Sequence, residues 1–247
     1  MSVERGVKPG QPRSDLFRET IVWDIVPEKT ALLVIDMQRA FVEEDGLFFV
    51  PAAKEALPTI NKVVKECRDR GILVVWVVRA PYRNDGLDVA QEQDFFHNLV
   101  GNPAGYSEGG WGVELHPDLD SEEGDLIVHK TRYSAFIAGS SNLDRVLRYH
   151  GRDTVIVTGV ATNVCCGTTA RDAMMLDYKV VFVSDANAAF GEVTEGGYGP
   201  GLVHEAELIT LRSCFAMVCT TAELMETLKE LPTKQPAGER ENSVAAD

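Results

Sequence analysis

Short apolar runs recur along most of the chain, separated by longer amphipathic segments. Ala31–Ile35 (ALLVI) and Ile72–Val78 (ILVVWVV) are apolar at every position, which is typical of strands that are buried on both faces of a sheet. Less regular runs occur further along the chain. The pattern predicts six strands, at Ala31–Ile35, Ile72–Val78, Asp125–Val128, Thr154–Thr158, Val180–Ser184 and Ala216–Cys219.

Between these runs, apolar residues recur at helical spacing, as at Ile60, Val63 and Cys67 before a terminating Gly71. Helices are predicted at Ala52–Arg70, Asp88–Val100, Ser141–Tyr149, Asn163–Leu176, Val203–Leu211 and Thr221–Leu231. Strands and helices that alternate predict an α/β fold, a three-layer α/β/α sandwich around a Rossmann-like, mostly parallel six-stranded sheet. Its crossover connections are expected to be right-handed.

The two ends of the chain differ from this central part. Residues 1–29 are rich in proline, glycine and charge, and we expect an N-terminal arm that lies on the domain or on a partner subunit. Residues 30–231 form the predicted domain. Residues 232–247 have the composition of a disordered tail.

Composition narrows the class of protein. A chain of 247 residues with 45% hydrophobic residues can bury one sizeable core. The net charge of −14 disfavours nucleic acid and anionic membranes as partners, and no run is long enough to span a membrane. Five cysteines without a C-x-x-C pair indicate a reduced protein. We therefore expect a cytoplasmic protein with neither a nucleic-acid nor a membrane partner.

Three chemically distinct side chains come after three predicted strands. Asp36 ends the first, Lys130 comes after the third, and Cys165 lies in the turn after the fourth. Because the carboxyl ends of parallel strands line one crevice, these groups are expected to meet there. A carboxylate that accepts the thiol proton and an ammonium that stabilises the thiolate would make Cys165 a nucleophile.

The stretch VIVTGVATNVCCGTTARD at 155–172 predicts a strand-to-helix turn with Cys165 in the first turn of the helix. Unpaired backbone N–H groups there favour a thiolate, so we expect a pKa below the ordinary value of about 8.5. Plainer interpretations stay open at this point. Cys165 fits a small buried apolar residue, Asp36 a loop cap, and Lys130 a solvated charge.

Longer motifs resemble a known family. IDMQ at Ile35–Gln38, Lys130 after its strand, and GVATNVCCGTTARDA at Gly159–Ala173 resemble the isochorismatase-like cysteine hydrolases over about Thr30–Leu228. That superfamily includes nicotinamidases, N-carbamoylsarcosine amidohydrolase and ureidoacrylate amidohydrolase. The resemblance implies a catalytic triad of Asp36, Lys130 and Cys165.

The same resemblance implies the surroundings of the nucleophile. The Val160–Ala161 peptide bond is expected to be cis, and the N–H groups of Ala161 and Cys165 are expected to form an oxyanion hole. Cys166 occupies a place usually held by valine, and we expect a buried neighbour that faces away from the site. Arg171 is expected to form a structural ion pair with Asp172 or Asp185.

The residues directly after the second strand narrow the subfamily. Nicotinamidases carry a metal-binding Asp-x-His there, whereas Val78–Arg83 reads VRAPYR, and neither His97 nor His116 has metal-ligand spacing. No metal and no cofactor are therefore expected. The blocks GGWGVEL at Gly109–Leu115 and KTRYSAF at Lys130–Phe136 look most like ureidoacrylate amidohydrolase and related carbamoyl-group hydrolases.

The expected function is a cysteine-dependent amidohydrolase that cleaves the C–N bond of a small ureido, carbamoyl or amide substrate through a thioester. Its expected substrate-binding residues are two amides, two guanidinium groups for a carboxylate and four aromatic residues: Gln38, Asn163, Arg79, Arg132, Phe41, Trp111, Tyr133 and Phe136.

Two alternatives stay open. One is an amide hydrolase for N-carbamoyl amino acids, biuret-like compounds or cyclic amides. The other is a catalytically idle protein that binds a ligand or senses redox state through Cys165 and Cys166. The resemblance also implies a homodimer or a homotetramer.

Overall fold

The computed structural model describes residues 23–81, 106–191 and 199–233. Six strands form one sheet in which every neighbouring pair is parallel, in the order β3-β2-β1-β4-β5-β6. The strands are β1 (Thr30–Ile35), β2 (Leu73–Arg79), β3 (Leu126–Lys130), β4 (Thr154–Val160), β5 (Lys179–Ala188) and β6 (Met217–Cys219). The predicted parallel sheet is confirmed.

The α-helices of the described residues are α1 (Arg39–Val42), α2 (Pro51–Asp69), α3 (Leu143–Tyr149), α4 (Gly167–Met175), α5 (Pro200–Cys214) and α6 (Thr221–Lys229). Short 3-10 helices span Pro27–Lys29 and Trp111–Val113. These two and α1 were not predicted, because three or four residues are too few to display a helical apolar stripe. The helix predicted at Asp88–Val100 lies outside the described residues.

Helices cover both faces of the sheet and make the predicted three-layer sandwich. On one face, Val63 of α2 and Leu224 of α6 share a core with Leu32. On the other face, α3, α4 and α5 share a second core with Leu33 and Val157. Successive residues of β1 therefore point into opposite cores, which is why this strand is apolar at every position. No helix among the described residues is long and apolar enough to cross a bilayer.

The strand order places a crevice at the centre of the sheet. From β1 the chain continues through β2 to β3 on one side, whereas β5 and β6 extend from β4 on the other. The neighbouring strands β1 and β4 therefore form the topological switch point, where open parallel sheets bind their ligands outside the carboxyl ends of the strands.

Gly159 allows β4 to approach β1 closely at this point. Its φ is +115°, and a Cβ atom there would lie 2.1 Å from the carbonyl oxygen of Ile35, the residue before Asp36. Only glycine fits this backbone and this contact. The end of β4 is thereby packed directly against the end of β1.

Strands β2 and β4 extend further towards the carboxyl edge of the sheet than predicted. β2 continues to Arg79, which pairs in register with Lys130, and β4 continues through Gly159 to Val160. Backbone pairing with a neighbouring strand continues beyond the apolar run, which a pattern of side chains does not reveal. The helix predicted at Asn163–Leu176 begins as a π-helical turn, Thr162–Cys166, before α4.

Candidate active site

Lys130 lies at the centre of a buried cluster of three side chains. Its Nζ atom is 2.8 Å from Asp36 Oδ2 and 3.4 Å from Cys165 Sγ, and it also donates to the carbonyl oxygen of Arg132 at 3.1 Å. Asp36 and Lys130 have no exposed surface, whereas Cys165 retains 5%. The structure thus brings together the carboxylate, ammonium and thiol that the sequence places at three separate strand ends.

The backbone of each strand end positions its side chain. Lys130 is the last residue of β3, and Asp36 comes directly after β1. Asp36 has a φ of +51° while its N–H donates to the carbonyl oxygen of Val77 at 2.8 Å. Aspartate is among the few residues with a side chain that tolerate this left-handed conformation. The chain therefore turns immediately after the strand and leaves the carboxylate at the crevice.

The thiol of Cys165 is held in its protonated form. Burial, together with the neighbouring charge of Asp36, raises its pKa to about 12, although Lys130 acts in the opposite direction. The expectation of a lowered pKa is therefore wrong. Loss of hydration and a nearby carboxylate outweigh both the adjacent ammonium and the N–H groups of the helical turn.

Lys130 is an ammonium group despite its burial. Burial lowers its pKa, but the charge of Asp36, joined at high pH by that of the Cys165 thiolate, outweighs burial, so that the pKa is raised. The Cys165 thiol is also hydrogen-bonded to the Asp36 carboxylate, which adds to the rise in the pKa of the thiol. The arrangement can therefore pass the thiol proton to a carboxylate while a fixed positive charge faces the sulfur.

The turn that carries the nucleophile candidate has the expected backbone. The Val160–Ala161 peptide bond is cis, as the resemblance implies, and Ala161 is the residue before the π-helical turn. Cys166 is fully buried in the core beneath α4, and its Sγ lies 3.9 Å from the carbonyl oxygen of Thr158. Burial raises the pKa of Cys166 well above its ordinary value. The expectation that Cys166 is a buried neighbour is confirmed.

Gln38 has a different role from the one that its sequence position suggests. Its Nε2 donates to the carbonyl oxygens of Arg79 and Val113 at 3.0 and 2.8 Å. Its Oε1 accepts from the N–H of Arg79 at 2.9 Å and from the hydroxyl of Tyr106 at 3.2 Å. An amide has two donors and two lone pairs, so protein groups use its whole capacity. This side chain therefore joins three segments beside Asp36, and its contact with a substrate stays a prediction.

Tyr106 was not predicted to lie near the site. It is fully buried, its hydroxyl also lies 3.1 Å from the carbonyl oxygen of Arg79, and burial raises the pKa of the phenol well above its ordinary value. A single tyrosine in an irregular loop gives no periodic signal. Only the fold places its hydroxyl next to Gln38 at the edge of the site.

Asn163 is also engaged by the protein. Its Nδ2 donates to the carbonyl oxygen of Phe190, and its Oδ1 accepts from the N–H of the same residue, both at 2.9 Å. This contact connects the segment after β5 to the π-helical turn, and the contact of Asn163 with a substrate amide stays a prediction.

The four aromatic candidates do not form one lid. Phe136 is buried in the core with its ring 5.2 Å from that of Tyr178, and its contact with a substrate stays a prediction. Phe41 stacks on a neighbouring phenylalanine ring at 5.1 Å, and the ring of Trp111 lies 5.1 Å from the guanidinium carbon of Arg39. The aromatic ring of Tyr133 lies 5.8 Å from the guanidinium carbon of Arg79, at the end of β2.

The arginine candidates lie at two depths. Arg79 is buried, and its charge acts against the rise in the pKa values of Cys165 and Lys130 without reversing it. Arg132 and Tyr133 line a cleft of about 370 Å³. Arg171, which also lines this cleft, forms a bidentate ion pair with Glu207 of α5.

Two further expectations concern ion pairs and metal binding. The partner of Arg171 is Glu207 rather than Asp172 or Asp185, and Asp185 instead accepts from the N–H of Thr221 at 2.6 Å. An ion-pair partner on a later helix leaves no signal in the sequence around Arg171. Among the described residues, no group of three or more His, Cys, Asp and Glu side chains is placed to bind a metal ion.

A parallel α/β sandwich that carries a carboxylate, an ammonium and a thiol at its carboxyl edge indicates a class of hydrolases rather than one particular enzyme. The isochorismatase domain family matches residues 30–223, and the chain belongs to this family of hydrolases.

Similar proteins support the assignment of the chain to this family. A ureidoacrylate amidohydrolase RutB from Caulobacter vibrioides is 32% identical over 225 residues, which cover 83% of this chain and 93% of the relative. A probable inactive nicotinamidase from Arabidopsis thaliana is 42% identical over 163 residues, or 65% of this chain and 81% of the relative. The crystal structure of a cysteine hydrolase from Pseudomonas syringae pv. phaseolicola has a TM-score of 0.77 and 32% identity, and covers 86% of this chain and 98% of that one.

Proposed function

We propose that the protein is a cysteine-dependent amidohydrolase that cleaves a C–N bond in a small ureido or carbamoyl compound. The observation that carries the proposal is the position of Lys130, whose ammonium contacts both the Asp36 carboxylate and the Cys165 sulfur. Two charged groups buried beside a thiol are costly to the fold, and such arrangements are typical of catalytic sites.

The first half of the reaction forms a thioester. Asp36 accepts the thiol proton as Cys165 Sγ attacks the carbonyl carbon, so no resting thiolate is needed at a thiol whose pKa is about 12. The N–H groups of Ala161 and Cys165 stabilise the oxygen of the tetrahedral intermediate. Asp36 then donates its proton to the departing nitrogen, the C–N bond breaks, and the acyl or carbamoyl group stays on sulfur.

The second half returns the enzyme to its resting form. Asp36 removes a proton from water, which attacks the thioester carbonyl through the same intermediate geometry. The C–S bond breaks, and the sulfur leaves with its electron pair and takes the proton back from Asp36, which returns to its carboxylate form. Throughout, Lys130 holds Asp36 in place and offers a positive charge to the sulfur when it carries negative charge.

The substrate class is inferred from the relatives together with the charges at the site. Ureidoacrylate carries both a ureido group and a carboxylate, and the RutB relative spans most of this chain. Arg79, Arg132 and Tyr133 are the proposed substrate-binding residues. The buried charge of Arg79 acts on Cys165, the Tyr133 ring lies 5.8 Å from the Arg79 guanidinium carbon, and the carbonyl oxygen of Arg132 accepts from Lys130. A guanidinium group near the reacting carbonyl favours an anionic substrate.

A catalytically idle protein is the second candidate, since one relative is described as a probable inactive nicotinamidase. The two candidates are separated by ammonia release from ureidoacrylate, an N-carbamoyl amino acid, biuret and nicotinamide. Hydrolysis of ureidoacrylate or the N-carbamoyl compound is expected, with trapping of a thioester on Cys165 detected by mass spectrometry.

Matched cysteine variants complete this experiment. C165A is expected to abolish hydrolysis, whereas C166A alters only a buried neighbour and is expected to keep it. Hydrolysis that survives C165A would remove the proposed mechanism. Failure of the wild-type protein on the whole panel would favour the idle alternative.

A further inference from the structure

Helix α5 contacts the turn that carries Cys165 and the helix after it through two side-chain pairs. Thr162 Oγ1 lies 2.9 Å from His204 Nδ1, and one turn further along α5, Glu207 pairs with Arg171. Thr162 is fully buried and is the first residue of the π-helical turn, directly after Ala161. Neither Thr162 nor His204 takes part in the proposed mechanism.

The hydrogen bond between them has a defined direction. Burial lowers the pKa of His204, so the ring is neutral at pH 7, and the ring also bonds to the backbone carbonyl of Ser184. We assign this bond to the Nε2–H group, since Nδ1 faces Thr162. A neutral imidazole that donates through one nitrogen accepts through the other. Nδ1 therefore accepts from the Thr162 hydroxyl. The His204 ring is therefore hydrogen-bonded to β5, and the Thr162 hydroxyl is hydrogen-bonded to the ring.

We infer that His204 is a positioning residue, which acts through Thr162 on the backbone N–H groups of Ala161 and Cys165. This inference rests on the proposed function. Thr162 is bonded to Ala161 in the chain and lies in the same short turn as Cys165, so fixing its side chain fixes the backbone on which both N–H groups are carried. Misplacement of such donors by about 1 Å lowers rates on the order of a hundredfold.

His204 is not needed to attach α5 to the domain. Leu208 and Leu211 of this helix are buried in the core, and the bidentate ion pair between Glu207 and Arg171 joins α5 to α4. A purely structural role is therefore separable from positioning, because Glu207 supplies a matched control one helical turn away on α5.

Two reactions of Cys165 separate these roles. Alkylation by iodoacetamide occurs at a saturated carbon and develops no carbonyl oxyanion. Acylation by 4-nitrophenyl acetate passes through a tetrahedral oxyanion. In that step Cys165 Sγ bonds to the acetyl carbon, 4-nitrophenolate leaves with the electron pair, and Asp36 takes the thiol proton. Peptide mass spectrometry assigns both products to Cys165 rather than to the other cysteines.

The variants are T162V and H204F, which remove the hydrogen bond, and T162S and H204N, which keep a hydroxyl donor and an acceptor at the same positions. We expect T162V and H204F to slow acylation by about 10- to 100-fold while alkylation stays within about twofold of wild type. T162S and H204N are expected to restore most of the acylation rate. E207Q, which weakens only the neighbouring ion pair, is expected to leave both rates unchanged.

Results other than these would contradict either the positioning role of His204 or the proposed function. Unchanged acylation in T162V and H204F overturns the positioning role alone, as does a parallel fall of acylation and alkylation. An equal loss of acylation in E207Q assigns the effect to helix docking and overturns the positioning role. A wild-type Cys165 that is alkylated but never acylated overturns the proposed function and this inference with it.

Discussion

Lys130 Nζ and Asp36 Oδ2 lie 2.8 Å apart with no exposed surface on either side chain, although strand β2 lies between the strands that carry them. Burial of two charges is costly in water-free surroundings and is tolerated when each neutralises the other. Cys165 Sγ is 3.4 Å from the same ammonium. This pair therefore acts on the charge state of the sulfur together with burial, which is the larger effect, while the surrounding backbone holds all three groups in place.

Asp36→Asn is expected to separate thiol reactivity from hydrolysis. The Asp36 charge raises the pKa of Cys165, so its removal lowers that pKa and increases the thiolate fraction at pH 7. Alkylation of Cys165 by iodoacetamide should then be faster in D36N, with its pH profile shifted to lower pH. Hydrolysis should fall by about 10²- to 10⁴-fold because the proton acceptor is lost. Slower alkylation in this variant would contradict the assigned effect of Asp36.

Lys130→Met is expected to destabilise the fold because it leaves the charge of Asp36 unpaired. Asp36 would remain buried without its counter-ion, which lowers the free energy of unfolding by about 3–5 kcal/mol. The double variant D36N/K130M should recover most of that loss, because no charge remains unpaired. Urea denaturation of the two single variants and the double variant measures this coupling. Simple addition of the two single effects would be inconsistent with a mutually dependent pair.

Gly159→Ala is expected to disturb the contact between the ends of β4 and β1. The added Cβ would collide with the carbonyl oxygen of Ile35 in a backbone conformation that L side chains rarely adopt. The free energy of unfolding should fall by about 3 kcal/mol, with a loss of hydrolysis in the fraction that folds. Gly124→Ala is the matched control, since its φ of +96° is comparable but no atom lies within 4 Å of the new Cβ. That control should cost about 1 kcal/mol in a urea titration, and equal losses would count against the steric argument.

Gln38→Glu is expected to break the buried amide network. A carboxylate oxygen would face the carbonyl oxygens of Arg79 and Val113 in place of a donor, so stability should fall by about 3 kcal/mol. Asn163→Asp makes the same chemical change at the more exposed contact with Phe190, where a cost below about 1 kcal/mol is expected. Thermal unfolding compares the two variants. A larger loss in N163D would refute the role given to Gln38.

The sequence indicated the fold through simple physics. Runs that are apolar at every position require burial on both faces, and their alternation with helices implies a parallel sheet. The same reasoning placed Asp36, Lys130 and Cys165 at one edge, because parallel strands end on the same side. Boundaries such as the extension of β2 to Arg79 were missed, since backbone pairing continues where side-chain patterning stops.

Side-chain roles were harder to assign than positions. Gln38 and Asn163 were predicted to bind substrate because their amides can hydrogen-bond a substrate amide, yet backbone groups from distant segments occupy both. The partner of Arg171 was likewise misassigned, because Glu207 lies on a helix that packs against it only in the fold. Hydrogen-bond partners that are far apart in sequence leave no local pattern.

The sequence by itself determined which chemical groups this protein carries and that they lie at the carboxyl edge of a parallel sheet, because strand direction and apolar patterning are local properties. The tertiary structure decided the order of the strands, with β1 beside β4, and therefore the distances among the three groups. It also decided that Cys165 rests as a thiol, because a pKa depends on burial and on charges that distant residues supply.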